Sequence, residues 1–215
     1  MPVRTIPKNY RNVTGIAAVT KAEGKAQFES TLERDLLTLL EFDDSVDSFE
    51  VQPVKLEWLS ADGRARSYTP DVLAFYRAQS KKPVLFEVKY RSELKEKWDT
   101  FKPKFKKAVK FSNQQGWRFK LMTEKEIRTP YLETAKFLLP FVRRGPADEQ
   151  HMELLCDALR IVKRSTPEQL IAKVFQDEWN RAALIPTLWY LIGTRQIGIE
   201  LSQKLTMSSP IWSVN

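Results

Sequence analysis

The chain of 215 residues predicts an α/β fold: a mixed sheet flanked by helices, followed by a smaller helical unit. Three observations carry this. Short β-like runs crowd residues 46–88. A lysine-rich helical stretch then separates them from one further strand. Beyond Thr123 the apolar periodicity becomes almost wholly helical. The composition shift divides the chain into residues 1–123 and 124–215.

The first 20 or so residues read as extended or poorly ordered. From Phe28 to Phe42, Phe28, Leu32, Leu36, Leu39 and Leu40 recur at helical spacing. Glu33 lies at the margin of that stripe, beside Leu36, Leu37 and Leu40, where a carboxylate is costly unless it is paired or ligates a metal. Glu29, Asp35 and Glu41 call for no such explanation. Strand-like runs follow at Val46–Val51, Val54–Leu59, Arg64–Tyr68, Val72–Tyr76 and Val84–Val88, with Asp62-Gly63 as a hairpin turn between the second and third. A helix is expected from Glu93 to about Gln114, kinked near Pro103, with Gly116 beyond its end. Trp117–Met122 then reads as a strand.

In the second part, helical stretches span Tyr131–Val142 and Met152–Val162, broken by Arg143-Arg144-Gly145-Pro146. Ser165-Thr166-Pro167-Glu168 combines an N-cap, a first-turn proline and a capping-box acid, opening a helix to about Phe175. Another helix covers Trp179–Ile192 and stops at Gly193. The remaining RQIGIELSQKLTMSSPIW fits a small wing, so this part reads as a winged-helix-like module.

With 42% hydrophobic and 29% charged residues, the chain has the composition of one sizeable domain or two small ones. It contains no apolar run long enough to span a bilayer, and MPVRTIPKNYRN lacks the apolar core of a signal peptide. These features predict a soluble, cytoplasmic protein. Cys156 has no second cysteine to pair with, and His151 is the sole histidine. Zinc chemistry is thereby excluded and any metal is left to oxygen ligands. His151 and Cys156 are read as packing residues.

Net charge is +8, and its distribution is uneven. Residues 1–125 carry 24 basic and 17 acidic side chains, whereas 126–215 carry 11 and 10. The excess concentrates in 89–120, with 11 basic against 3 acidic. A basic face on the first part fits a polyanionic partner, although a lysine-rich helix also serves simply as a solvated face. Trp98, Phe101, Phe105, Phe111 and Trp117 interleave with the lysines, a spacing shared by helix cores and base-stacking surfaces alike.

The candidate chemistry lies in YTPDVLAFY followed by PVLFEVKYR. Asp71 precedes one strand, and Glu87-x-Lys89 occupies the next. Side chains alternate along a strand, so Glu87 and Lys89 share a face while Phe86 and Val88 point to the core. Two converging carboxylates suit a hard divalent cation, and a neighbouring ammonium suits water or phosphoryl oxygen. The pattern points to phosphodiester cleavage. A turn role for Asp71, an exposed strand edge, or a structural Glu87–Lys89 ion pair would account for the same letters. PVLFEV, however, is apolar on both sides except at Glu87, as in a covered central strand.

ESTLERDLLTLLEFD, YTPDVL and LFEVKYRSEL together resemble the TnsA endonuclease family, the restriction-endonuclease-like subunit of heteromeric cut-and-paste transposases. The resemblance covers most of residues 25–125. The helical remainder is similar in size and pattern to that family's winged-helix-like C-terminal domain. It implies Glu33, Asp71, Glu87 and Lys89 as catalytic residues, with Glu33, Asp71 and Glu87 holding Mg2+, for which Mn2+ can substitute. Glu87 stands where some members of the family carry glutamine. The implied reaction is hydrolysis of the non-transferred strand at transposon 5′ ends, beside an integrase-type partner that processes the 3′ ends. A regulator ATPase would meet the C-terminal domain, where Trp189, Tyr190, Ile211 and Trp212 are interface or core positions. Lys95, Lys97, Lys102, Lys104, Lys106, Lys107 and Lys110 would contact DNA backbone. Two alternatives remain: a stand-alone restriction or repair endonuclease, and a non-catalytic DNA-binding assembly module. The near-neutral second part argues against the latter.

Overall fold

A computed structural model describes residues 14–60, 63–146 and 148–214. The expectation for the N-terminal stretch lies largely outside them, as does Asp62 of the expected turn. The chain divides into two compact units between Arg128 and Thr129.

In the first unit, β1 (Gly15–Ile16) and β2 (Gln27–Phe28) pair antiparallel ahead of α1 (Thr31–Phe42). The Ser30 hydroxyl caps α1 by accepting from the Glu33 amide. Leu32, Leu36, Leu37 and Leu40 are buried along its inner face. Then come β3 (Val46–Val51), β4 (Leu56–Leu59), β5 (Ala65–Tyr68), β6 (Val72–Tyr76), β7 (Val84–Val88), α2 (Arg91–Gln114), β8 (Arg118–Met122) and α3 (Glu124–Ile127). The main sheet has the order β3-β6-β7-β8. β6 runs antiparallel to both its neighbours, whereas β7 and β8 are parallel. A parallel pair needs a crossover, and α2 supplies it. The fold is thus a mixed α/β core followed by a helical region.

β4 and β5 form a separate antiparallel pair outside the main sheet. Gly63 closes it at φ +75°, its amide donating to the Ser60 carbonyl. Leu56 and Tyr68 of this ribbon pack with Ala108 of α2 and with Phe111 and Phe119. The break in α2 falls at Lys97 (φ −119°, ψ 25°) rather than at Pro103. A proline ring clashes with the carbonyl four residues earlier, so distortion is displaced toward the helix N-terminus.

Two acids that look unremarkable in the sequence are buried. Asp35, 2% exposed, meets the Arg128 guanidinium at 3.0 Å. Arg128 also donates to the Thr31 and Tyr90 hydroxyls. Glu41 accepts from the amides of Thr20 and Lys21 and from the Thr20 hydroxyl. Their partners lie far away in sequence, which is why helical position alone does not single them out.

The second unit comprises α4 (Pro130–Arg144), α5 (Glu149–Val162), β9 (Arg164–Ser165), α6 (Pro167–Val174), α7 (Glu178–Gly193), β10 (Ile197–Ile199) and β11 (Ile211–Ser213). Its strands form a small antiparallel sheet in the order β10-β11-β9. The segment before α6 is therefore both strand and cap, since the Thr166 hydroxyl accepts from Gln169. Gly198 lets β10 approach the Trp212 indole, because a Cβ there would lie 2.1 Å from its ring nitrogen. Trp189 and Ile211 belong to the core, whereas Trp212 is 37% exposed and Tyr190 is half-buried. The His151 ring packs edge-on against Phe175. Among the described residues, no helix is long and apolar enough to cross a membrane.

Replacing Arg128 with alanine removes the charge-assisted partner of a buried carboxylate. Urea denaturation should show a loss of about 2–3 kcal/mol, and a change near zero would show that Asp35 is satisfied without it.

Candidate active site

The site grows from the junction of β6 and β7. Val72 pairs with Phe86 across the ladder. One step further out, Asp71 and Glu87 face each other from adjacent strands. All five residues of β7 are buried, and Glu87 is 1% exposed. Opposed like charges destabilise a strand pair, and a buried carboxylate needs compensation. The surroundings provide it. Glu87 Oε2 accepts from the Tyr68 hydroxyl at 2.6 Å, while Oε1 lies 3.1 Å from Lys89 Nζ and 3.2 Å from Lys104 Nζ. Asp71 Oδ2 accepts the Val88 amide at 2.6 Å and lies 4.0 Å from Lys89 Nζ. Lys89 also donates to the Val88 carbonyl.

Glu33 stays on its own helix turn, accepting from the Glu29 amide and the Ser30 hydroxyl. It nevertheless acts electrostatically on both Asp71 and Lys89. The structure thus brings Asp71, Glu87 and Lys89 into direct association, with Glu33 in their field. Among the described residues, no group of three or more His, Cys, Asp or Glu side chains is arranged to hold a metal ion.

A cavity of about 630 Å³ opens here, lined by Asp71, Glu87, Lys89 and Lys104 together with Tyr68 and Gln52. Glu29, Lys55, Ser67 and Thr69 complete its wall. Of the seven lysines expected on DNA, Lys95, Lys97, Lys102, Lys106, Lys107 and Lys110 are exposed. Lys104 turns inward instead. Its ammonium lies 4.6 Å from the Phe101 ring centroid and 4.7 Å from that of Tyr68. The clue is helical spacing. Phe101, Lys104, Phe105 and Ala108 share one face, so Lys104 occupies a position on the apolar stripe. Tyr68 carries a weaker signal, as a strand-end aromatic whose hydroxyl requires a partner once buried.

Titration behaviour follows from this crowding. Burial raises the Asp71 pKa well above the ordinary carboxylate range, and the facing Glu87 adds to the effect. Burial likewise raises Glu33, against the hydrogen bonds from Glu29 and Ser30. For Lys89, burial opposes the charged form, but Asp71 and Glu87 outweigh it and the pKa rises. The Tyr68 phenol is pushed upward by burial and by Glu87, so it remains a donor.

The chemistry of the donors, carboxylate oxygen alone, suits a hard cation better than a soft one. Carboxylates converge from two strands, and the sulfur and imidazole ligands of softer metals are absent from the cavity wall.

Residues 43–124 match the family described as TnsA-like endonuclease N terminal. Over this stretch the chain is similar to the N-terminal nuclease domain of that family. The match runs from the end of α1 to the start of α3 and includes Asp71, Glu87, Lys89 and Lys104. It covers less than half of the chain, and both Glu33 and the second unit lie beyond it. No curated protein matches the chain.

The raised Asp71 pKa predicts a pH dependence of stability. The folded state binds a proton that the unfolded chain has already released, so stability falls as pH rises from the ordinary aspartate range through the higher folded value. In chelator, thermal melts of Asp71→Asn should fall less steeply over that window than those of the parent. Parallel curves would mean that the burial of Asp71, with the facing Glu87, does not raise its pKa in the folded state.

Proposed function

We propose that the chain is the Mg2+-dependent endonuclease subunit of a heteromeric transposase, hydrolysing the non-transferred strand at transposon 5′ ends. The observation that carries this is the convergence of Asp71, Glu87 and Lys89 within a stretch matching the TnsA-like nuclease family. A stand-alone nuclease with the same core would cut DNA without partners. A binding module would have no need of carboxylates opposed across the central strands.

Asp71 and Glu87 would hold the cation, with Glu33 contributing negative charge from α1. A cation held there would supply Lewis acidity toward the scissile phosphate and the attacking water. Lys89, anchored by the Val88 carbonyl and both carboxylates, is fixed at the strand end, where its ammonium can stabilise charge developing on phosphoryl oxygen. Tyr68 holds Glu87 in one orientation, keeping the carboxylate from rotating away. The exposed lysines of α2 bind backbone phosphate and thereby position the duplex without reading it. Sequence recognition then falls to an integrase-type partner, and the second unit serves to dock a regulator ATPase.

Strand-specific cleavage of an end-containing duplex, with Mg2+ and the partner transposase, tests this reading. Asp71→Ala should abolish cutting of the 5′ strand while leaving partner cleavage of the 3′ strand intact. Lys89→Ala should slow the 5′ cut by roughly 10²–10³-fold. Full activity in either variant would overturn the assignment.

DNA binding without partners should be weak and salt-sensitive. Replacing Lys102, Lys106, Lys107 and Lys110 with glutamine should reduce the slope of log K against log salt by about 0.9 for each phosphate that is no longer neutralised. An unchanged slope would place the DNA elsewhere.

A further inference from the structure

Glu87 Oε1 carries two ammonium groups. Lys89 approaches at 3.1 Å and Lys104 at 3.2 Å. The two are differently tethered. Lys89 follows β7 directly and has the Val88 carbonyl and Asp71 as further partners. Lys104 arrives from α2 on a long, flexible stem and meets one carboxylate, with its side chain 21% exposed. Its remaining neighbours are the faces of Phe101, Tyr68 and, at 5.3 Å, Phe105. Aromatic faces attract a cation without fixing its direction. They offer the ammonium a path as well as a place.

Charge balance in the cavity gives the arrangement a consequence. Its wall holds three acids, Glu29, Asp71 and Glu87, against three lysines, Lys55, Lys89 and Lys104. A divalent ion entering beside Glu87 meets two positive charges already on that carboxylate. Coulomb repulsion at such distances is large unless one charge withdraws. Lys104 is the one free to do so, and a phosphate at the cavity mouth would receive it.

We propose that Lys104 is a resident counter-cation that competes with the divalent ion for Glu87 and passes to a DNA phosphate when the ion enters. The ion and DNA then load together: each relieves the charge imbalance the other creates. Lys104 is on this account a positioning residue, separate from the phosphate-binding lysines on the outer face of α2. The inference rests on the reading of Asp71 and Glu87 as a divalent-cation site.

Mn2+ titration calorimetry on the full chain, with and without a short duplex, tests it. Lys104→Met keeps an apolar stem among the aromatic rings and removes the charge; Lys104→Arg keeps the charge and serves as the folding control. Without DNA, Lys104→Met should bind Mn2+ about tenfold more tightly or better, whereas Lys104→Arg should stay near the parent. DNA should tighten Mn2+ binding by the parent and by Lys104→Arg, and do so markedly less for Lys104→Met. Equal or weaker Mn2+ binding by Lys104→Met, beside a parent that binds, would overturn the competition while leaving the nuclease reading intact. Absence of Mn2+ binding by every form, with DNA present, would overturn the cation site itself and this proposal with it.

Discussion

Two carboxylates opposed across the ends of adjoining central strands set the terms for the rest of the first unit. Glu87 is buried and Asp71 half-buried, and the two carboxylates face each other and repel. Left alone, that pair would weaken the β6–β7 junction on which the sheet is centred. Each neighbouring element answers it with a different group. β7 continues into Lys89, β5 ends in the Tyr68 hydroxyl, and α2 delivers Lys104. The topology makes the last of these possible. Because β7 and β8 are parallel, the chain must cross over between them, and the crossing helix carries a lysine to the same carboxylate.

The lysines of the basic stretch consequently divide by tether rather than by charge. Lys89 is short-reached and held from three sides. Lys104 is long-reached and held mainly by one carboxylate and aromatic faces. The others on α2 face solvent, where they act on a polyanion through the field alone. A count of positive charge along the chain treats all of these alike. Their roles differ because a strand end, an inner helix face and an outer helix face impose different freedom on the same side chain.

The parts legible in the sequence are those encoded locally. Period-two alternation puts Glu87 and Lys89 together, and the short distance from Asp71 to the next strand makes their convergence readable. The amphipathic stripe of α1 places Glu33 at a core margin. Long-range partnerships are not legible. Asp35 is secured by Arg128, and Glu41 by Thr20 and Lys21, across separations that no periodicity reports. The isolation of the β4–β5 ribbon from the main sheet is hidden for the same reason: strand-like letters do not say which strands pair. Lys104 falls between these cases. Its spacing with Phe101, Phe105 and Ala108 is visible, but the charge run around it conceals that it stands on the buried face.

Gln52 extends the pattern of local cost. It has φ +51°, a conformation uncommon for a residue with a side chain, and is 7% exposed. Its side-chain carbonyl oxygen finds no hydrogen-bond donor among the described residues. The other described non-glycine residues with positive φ, Lys163 and Arg195, follow helices α5 and α7, where the chain has to turn away from the helix axis. Gln52 has no such excuse. Its amide donates to the Asp71 carbonyl, and its side chain lines the same cavity as Asp71 and Glu87. Strained backbone, an unmatched buried oxygen and opposed carboxylates each lower stability, and nothing in folding requires them to coincide. At this cavity all three meet, a combination of local costs that functional sites commonly carry.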